Sequence, residues 1–440
     1  MSDLAVWMNG ELVATWSRSR ASDAITYEKS WFESPRGRPL SLSLPFTPTL
    51  QIKGDVVGNY FDNLLPDAKT IRERLGRRFR VKPSNAFELL SAIGRDCVGA
   101  VQLLPPGTEP EGVHTLSYEP LTELQIEAAL RDTTTEDSLA SSGPDDDDAF
   151  RISLAGAQEK TALLKVGEQW CRPHGSTPTT HILKLPLGLV GGRHEFDMSD
   201  SVENEWLCLR LLGHMGLPSA HVEIRTFGDQ KCLDVKRFDR EWMGDGAWIA
   251  RLPQEDFCQA TGTPPDRKYE NNGGPGMEQC MSLLAGSSDA IGDRSRFLLS
   301  QLAFWMLGAT DGHAKNFSVF LRAGGGYTLT PLYDVLSAYP VMGHGKGKLP
   351  RQRAHLAMSV RGKSKHSQLD YVKTRHWFEE ARRSGLPDMT YSMSWLATSV
   401  PDAINSAEAE LPAGFPAHIW ESITSGLTKA AEAFLAGVEA

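Results

Sequence analysis

The spacing of three polar residues constrains this chain more than any other feature of its sequence. Asp311 is followed by Asn316 within Thr310-Asp311-Gly312-His313-Ala314-Lys315-Asn316, and Asp334 stands eighteen residues beyond Asn316 in Tyr333-Asp334. Phosphoryl transfer needs a carboxylate to orient or deprotonate a hydroxyl, and hard oxygen ligands for Mg²⁺. An Asp with an Asn five positions on is the spacing of the protein-kinase catalytic loop, here without the preceding His-Arg. The apolar run before it (Phe297, Leu298, Leu302, Phe304, Trp305, Leu307) predicts a helix that anchors the loop, and Phe317, Val319 and Leu321 predict a strand after it. Taken alone, an Asp/Gly/Asn-rich stretch is equally a surface turn, so the motif needs partners elsewhere.

Candidate partners occur upstream, in kinase order. Leu154-Ala155-Gly156-Ala157-Gln158-Glu159-Lys160 is a small-residue loop whose backbone could cradle a phosphate, though it matches neither common phosphate-loop pattern and could be a plain β-turn. Thr180 to Pro186 places Lys184 among apolar neighbours, where a lysine either snorkels or has an anionic partner. A helix opening near Val202 offers Glu205, preferred to Glu203, as that partner. Val222–Arg225 and Cys232–Phe238 read as paired strands across Gly228-Asp229, the second serving as a hinge with the Lys236 backbone facing an adenine and Phe238 as an apolar wall. A helical lobe starts at Arg251, with a glycine-rich loop at Asn271 to Gly276. Val360 to Leu435 reads as mostly helical, ending in a helix through Ile423, Leu427, Ala431 and Phe434.

The first hundred residues read as a separate α+β module, a structural or interaction domain. Asn9-Gly10 between β-prone runs is a hairpin signal. Leu40 to Leu44 alternates as a strand does, Asn59 to Phe79 has helical spacing, Pro83-Ser84 opens a short helix, and Val98 to Leu104 reads as a strand. A linker follows, with a short helix near Leu121 to Leu130, Ser141 to Pro144, and four aspartates at Asp145 to Asp148.

The chain has 440 residues, enough for several domains, and its net charge of −9 argues against a protein that coats nucleic acid. His344 to Arg383 nevertheless holds eleven Lys/Arg against three Asp/Glu, a local excess of +8 that leaves −17 on the rest. Such a stretch is either a solvated face or a nucleic-acid contact. The six cysteines have no metal-clamp or redox spacing, and no apolar run reaches membrane-spanning length. A reduced, cytoplasmic protein without a membrane contact is expected.

The chain resembles the HipA toxin kinases of bacterial type II toxin–antitoxin systems over nearly its whole length. The resemblance is carried by Trp7-Met8-Asn9, Pro39 to Pro45, Phe61 to Asp67, Ile93 to Asp96, Arg151 to Leu164, Thr177 to Pro186, Leu252 to Asp256 and Gly308 to Phe320. It implies an α+β, two-lobed protein-kinase-like fold with an additional N-terminal module. The expected division is 1–110 for the module, 111–149 for the linker, 150–250 for the nucleotide lobe and 251–440 for the helical lobe. It implies a serine/threonine protein kinase using ATP and Mg²⁺. Asp311 would be the base, and Lys184 would contact the phosphates beneath the loop from Leu154 to Lys160. Asn316 and Asp334 would bind Mg²⁺. Lys236, Phe238 and His313 would line the nucleotide site, and Ser153 would be the site of autophosphorylation. The implied partners are a HipB-like helix-turn-helix antitoxin, operator DNA mainly through that antitoxin, and a protein substrate, glutamyl-tRNA synthetase foremost. The hinge departs from the family pattern at Lys236. An antitoxin-binding co-repressor with weak or lost transfer activity is the alternative, and a small-molecule kinase is a third possibility open to the fold.

Overall fold

A computed structural model describes residues 2–19, 22–134, 153–190 and 195–439. Ser141 to Pro144, the aspartate run and Arg151-Ile152 lie outside the described residues.

The Asn-Gly signal is realised as a tight hairpin. Ser2–Met8 and Glu11–Arg18 pair antiparallel, with Asn9 (φ 47) and Gly10 (φ 84) both left-handed, as a turn matched to strand twist requires. These strands sit in a five-stranded antiparallel sheet with Asp23–Tyr27, Gln51–Lys53 and Val101–Leu104. Helices Asp55–Asp62, Lys69–Phe79 and Ala86–Ile93 accompany it, and Trp16 stacks on Phe61 at 3.9 Å in the core between.

Two expectations for this module fail for identifiable reasons. The helical spacing from Asn59 to Phe79 is split into two helices, because Pro66 cannot continue a helix; the intervening segment instead bridges Pro66 to Gly156. Leu40 to Leu44 is no strand but a turn closed by Leu44 N–H on the Ser41 carbonyl. Leu40 and Leu44 are buried as the alternation demands. The Leu42 N–H, however, goes to the Glu255 carboxylate, and the Ser41 and Ser43 hydroxyls to the Gln259 carbonyl, so tertiary contacts replace a neighbouring strand.

A second, six-stranded sheet has the order Val222–Phe227, Gln230–Lys236, His181–Lys184, Lys160–Val166, Gln169–Pro173, Tyr118–Pro120. Its edge strand and the helix Glu123–Asp132 fall within the stretch expected to be linker. That helix carries a Thr122/Gln125 capping box and buries Ile126 and Leu130 with Leu163, Leu183 and Cys232. The apolar positions of a single amphipathic helix suffice to fix it to the sheet, so residues 118–132 belong with the sheet rather than between bodies. Helix Ser201–His214 packs on the first two of these strands and is buried nearly all round.

The last body centres on helix Ala290–Leu307, ended by Gly308 in the left-handed conformation. A small sheet (Gln254–Asp256, Ser318–Leu321, Tyr327–Leu329) lies beside it. The stretch expected to be helical from Val360 opens instead in a hairpin, His355–Arg361 with Lys365–Gln368, before helices Thr374–Arg383, Thr390–Thr398, Val400–Ala409 and Ala417–Glu439. The last of these buries Ile423, Leu427, Ala431 and Phe434 and lies along Ala290–Leu307. Tyr339 is wedged between Gly308 and Gly426, where added Cβ atoms would stand 3.0 and 2.4 Å from its ring. All six cysteines are free and buried, and no helix among the described residues is long and apolar enough to cross a membrane.

Candidate active site

Residues from all three bodies converge at Asp334 and the loop that follows the helix Ala290–Leu307. Lys184, at the end of its strand, is buried and donates to Glu205 Oε1 at 2.7 Å and to Asp334 Oδ1 at 2.8 Å. The expected pairing of a strand lysine with Glu205 is thus realised. Burial alone would lower the Lys184 pKa, but the two carboxylates hold it above its ordinary value. Asp334, which burial would push up, is held well below the carboxylate range by Lys184 and Lys160. It also sits at φ 59, a left-handed conformation that Asp tolerates better than most residues and that clusters at functional sites.

The loop from Leu154 to Lys160 closes over this group. Gly156 has φ 108, and a Cβ there would lie 2.5 Å from Lys160 Nζ, so the position requires glycine. Lys160 Nζ turns back to the Ala155 carbonyl. Burial, followed by repulsion from Lys184, pushes its pKa down to about 8. The loop is pinned from both sides. Asp67 N–H donates to the Gly156 carbonyl, Arg74 pairs with Glu159, and Gln158 Nε2 donates to the Leu185 carbonyl. Ser153 is fully buried, its hydroxyl on the Leu64 carbonyl at 2.8 Å and its N–H on the Asp96 carbonyl.

Asp311 follows the central helix and leaves its side chain 57% exposed. Gly312 permits close approach to Phe304, whose ring would be 2.5 Å from an added Cβ. Asn316 Nδ2 donates to the Asp311 carbonyl at 2.8 Å and lies 3.5 Å from the Asp334 carbonyl, so it ties the two aspartate backbones together. His313 is buried, edge-on to Tyr269; burial lowers its pKa, and its Nδ1 has no hydrogen-bond partner among the described residues. Of the hinge residues, Phe238 packs on Tyr333 and Phe320, whereas Lys236 is exposed and uses its N–H on the His221 carbonyl.

The sequence reading missed the contribution of the first module. Lys315, inside the Asp311–Asn316 loop, is buried against Asn63 (carbonyl and Oδ1, each 3.1 Å) and Asp67 Oδ1 at 3.1 Å, while Asp67 Oδ2 also takes Lys268 at 2.8 Å. A second polar hub joins the module to the hinge. Asp96 accepts from Arg240 at 2.9 Å, Arg251 at 3.1 Å, Arg237 at 3.3 Å and the Thr179 hydroxyl at 2.7 Å, with Asp239 pairing Arg237 and Arg240. Asn63, Asp67 and Asp96 all lie in stretches that carry the family resemblance, Phe61 to Asp67 and Ile93 to Asp96.

The donor set fits a nucleotide with a hard divalent cation: two lysines facing one ionised carboxylate, an amide oxygen on Asn316, and an unpartnered ring nitrogen on His313. No group of three or more His, Cys, Asp or Glu suited to a metal occurs among the described residues, so Asn316 and Asp334 would be partial ligands only. The +8 stretch is partly neutralised in place: Arg361 pairs with Glu380 and Glu278, Lys365 with Glu270, Arg351 with Asp370, and Arg382 and Arg383 with Glu379.

Comparison with known proteins follows the same division. Residues 4–104 match the model of the HipA N-terminal domain, and residues 152–407 that of the HipA-like C-terminal domain. The putative kinase Y4mE of Sinorhizobium fredii is 35% identical over 77% of this chain and 78% of its own. The serine/threonine-protein kinase toxin HipA of Shewanella oneidensis is 29% identical over 75% and 73%. The Shewanella oneidensis HipA solved with HipB and its operator DNA superposes with a TM-score of 0.79 at 25% identity, over 99% of this chain and 98% of that one.

Proposed function

The chain belongs to the HipA family, and from that premise we propose that it is a protein serine/threonine kinase acting as the toxin of a toxin–antitoxin pair, using ATP and Mg²⁺ in the cytoplasm. The observation that carries this reading is Lys184 held between Glu205 and Asp334. A strand lysine paired with a helix glutamate, close to a second aspartate and to an exposed one, supports the protein-kinase form of phosphoryl transfer.

Bound ATP would supply the phosphoryl group, and Mg²⁺ would neutralise charge between its phosphates. Every other contribution belongs to the chain. Lys184 and Lys160 present positive charge to the phosphates, and the backbone from Leu154 to Ala157 covers them. Asn316 and Asp334 present the amide and carboxylate oxygens for the metal. Phe238 walls the base site beside the Lys236 backbone, with His313 as a further polar contact. Asp311 takes the proton of the acceptor hydroxyl, which its exposure leaves accessible. The division into an N-terminal module, a nucleotide lobe and a helical lobe is retained, with the nucleotide lobe beginning at Tyr118–Pro120.

Ser153 is proposed as the autophosphorylation site. A phosphate of about two charges cannot replace a hydroxyl buried on a carbonyl, so modification would expel the loop and end activity. A HipB-like antitoxin, operator DNA reached through it, and glutamyl-tRNA synthetase as substrate are proposed by analogy with the family. The test is incubation with γ-labelled ATP and Mg²⁺ followed by phosphosite mapping, with Asp311→Gln in parallel. Label at Ser153 in the wild type and none in the variant is expected. Absence of transfer despite tight ATP binding would favour the co-repressor reading.

A further inference from the structure

Among the described residues, one hydrogen bond reaches the Asp311 carboxylate, and it comes from outside the loop that carries Asp311. Tyr269 Oη donates to Asp311 Oδ1 at 2.5 Å. His313 Nε2 stands 3.9 Å from the other oxygen, beyond hydrogen-bonding distance. Asn316 fixes the Asp311 backbone but not its side chain. A half-exposed aspartate with no further restraint would sample several rotamers.

Tyr269 is itself held with little freedom. Its carbonyl accepts from Asn272 and Gly274, and a Cβ on Gly274 would lie 1.8 Å from the Arg267 carbonyl, so only glycine closes this turn. Its ring meets His313 edge-on at 4.8 Å, and Lys268, anchored by Asp67, lies 5.6 Å over its face. Burial and the neighbouring Asp311 keep the phenol protonated far above its ordinary range, so it acts as a donor throughout the working pH range. The glycine-rich stretch from Asn271 to Gly276 thereby closes the turn that carries Tyr269.

We propose that Tyr269 is the positioning residue for Asp311: it binds Oδ1, fixes the carboxylate rotamer and reserves Oδ2 for the acceptor hydroxyl. This rests on the reading of Asp311 as the base. General-base catalysis is worth 10²–10⁴-fold and depends on hydrogen-bond geometry. Releasing the carboxylate should therefore cost on the order of tenfold or more in transfer, without touching nucleotide affinity.

Tyr269→Phe keeps the ring contacts and removes the donor alone. The measurement is the single-turnover rate of label transfer from γ-labelled ATP to the full chain, for wild type, Tyr269→Phe, Asp311→Asn and the double variant. Affinity for a fluorescent ATP analogue is followed alongside. The expected result is a rate at least tenfold lower in Tyr269→Phe with analogue affinity within twofold of wild type, and no further loss when Tyr269→Phe is added to Asp311→Asn. A Tyr269→Phe rate equal to or above wild type overturns the proposal, as does a full multiplicative loss in the double variant, which would mark a structural effect. Undiminished transfer in Asp311→Asn, or no transfer in the wild type, would instead sink the underlying kinase reading.

Discussion

Replacing Asp96 by Asn tests how the first module is joined to the rest. Asp96 is 6% exposed and accepts from three guanidinium groups and from Thr179. With Asp239, it leaves three buried arginines facing two carboxylates; the substitution leaves them facing one. The amide also places an NH₂ donor among groups that are donors already. Removing one partner of a buried ion pair costs about 3–5 kcal/mol, because the remaining charge has no water to return to. That is a large part of the 5–15 kcal/mol a folded protein possesses, and about two to four orders of magnitude in the unfolding equilibrium. Urea unfolding at pH 7.5, followed by tryptophan fluorescence and far-UV circular dichroism, should show the midpoint falling accordingly. The pH dependence adds a second check. Burial would raise the Asp96 pKa, but Arg240, Arg251 and Arg237 hold it well below the carboxylate range. A depressed folded-state pKa contributes stability that is present above the ordinary carboxylate value and is lost as pH falls toward the folded value. The gap between wild type and Asp96→Asn should therefore be constant from pH 8 to 5 and shrink below about pH 4. Equal midpoints at pH 7.5, or a gap unchanged at pH 3, would refute the reasoning.

Lys184→Met removes the ammonium that bridges Glu205 and Asp334 and leaves Lys160 as their neighbouring cation; ATP affinity by titration calorimetry should weaken at least tenfold and transfer should vanish, and unchanged binding would count against the phosphate-contact role. Lys160, at about pKa 8 through burial and Lys184 and despite Asp334, Asp67 and Glu205, is partly neutral at pH 8.5. Nucleotide phosphates would raise that pKa, so binding at pH 8.5 should take up protons, seen as a binding enthalpy that varies with the ionisation enthalpy of the buffer; no such variation would sink the assignment. Asp67→Asn leaves Lys268 and Lys315 short of a counter-charge, and transfer should fall about tenfold with the module still folded by circular dichroism; wild-type rates would show that Asn63 and Asp256 hold Lys315 without it.

Much of the site was legible because its signals are local. Asn9-Gly10 dictates its turn through two left-handed residues, and Asp311, Asn316 and the later Asp334 lie within one short span. Lys184 and Glu205 were legible by chemistry, since a buried lysine needs an anion. What escaped depends on distant partners. Nothing near Leu40–Leu44 reveals that Glu255 and Gln259 will take its polar groups, and nothing near Asn63 reveals that Lys315 waits for it 252 residues away. Tyr118–Pro120 is too short for its periodicity to separate a sheet edge from a linker. The first module therefore read as a structural or interaction domain, although its Asn63 and Asp67 brace the loop that carries Asp311.

The helix Ala417–Glu439 gives the chain a timetable on the ribosome. It lies along the helix that supports Asp311, and through Gly426 it holds Tyr339 in place. It is synthesised about eighty residues after Asp334. At roughly 5–20 residues per second, several seconds separate the last residue of the polar cluster from its brace. During that interval the nascent chain carries every group of the cluster without the packing that aligns them. The proposed kinase site would thus stay unbraced on the nascent chain until the helix Ala417–Glu439 has been made and has packed.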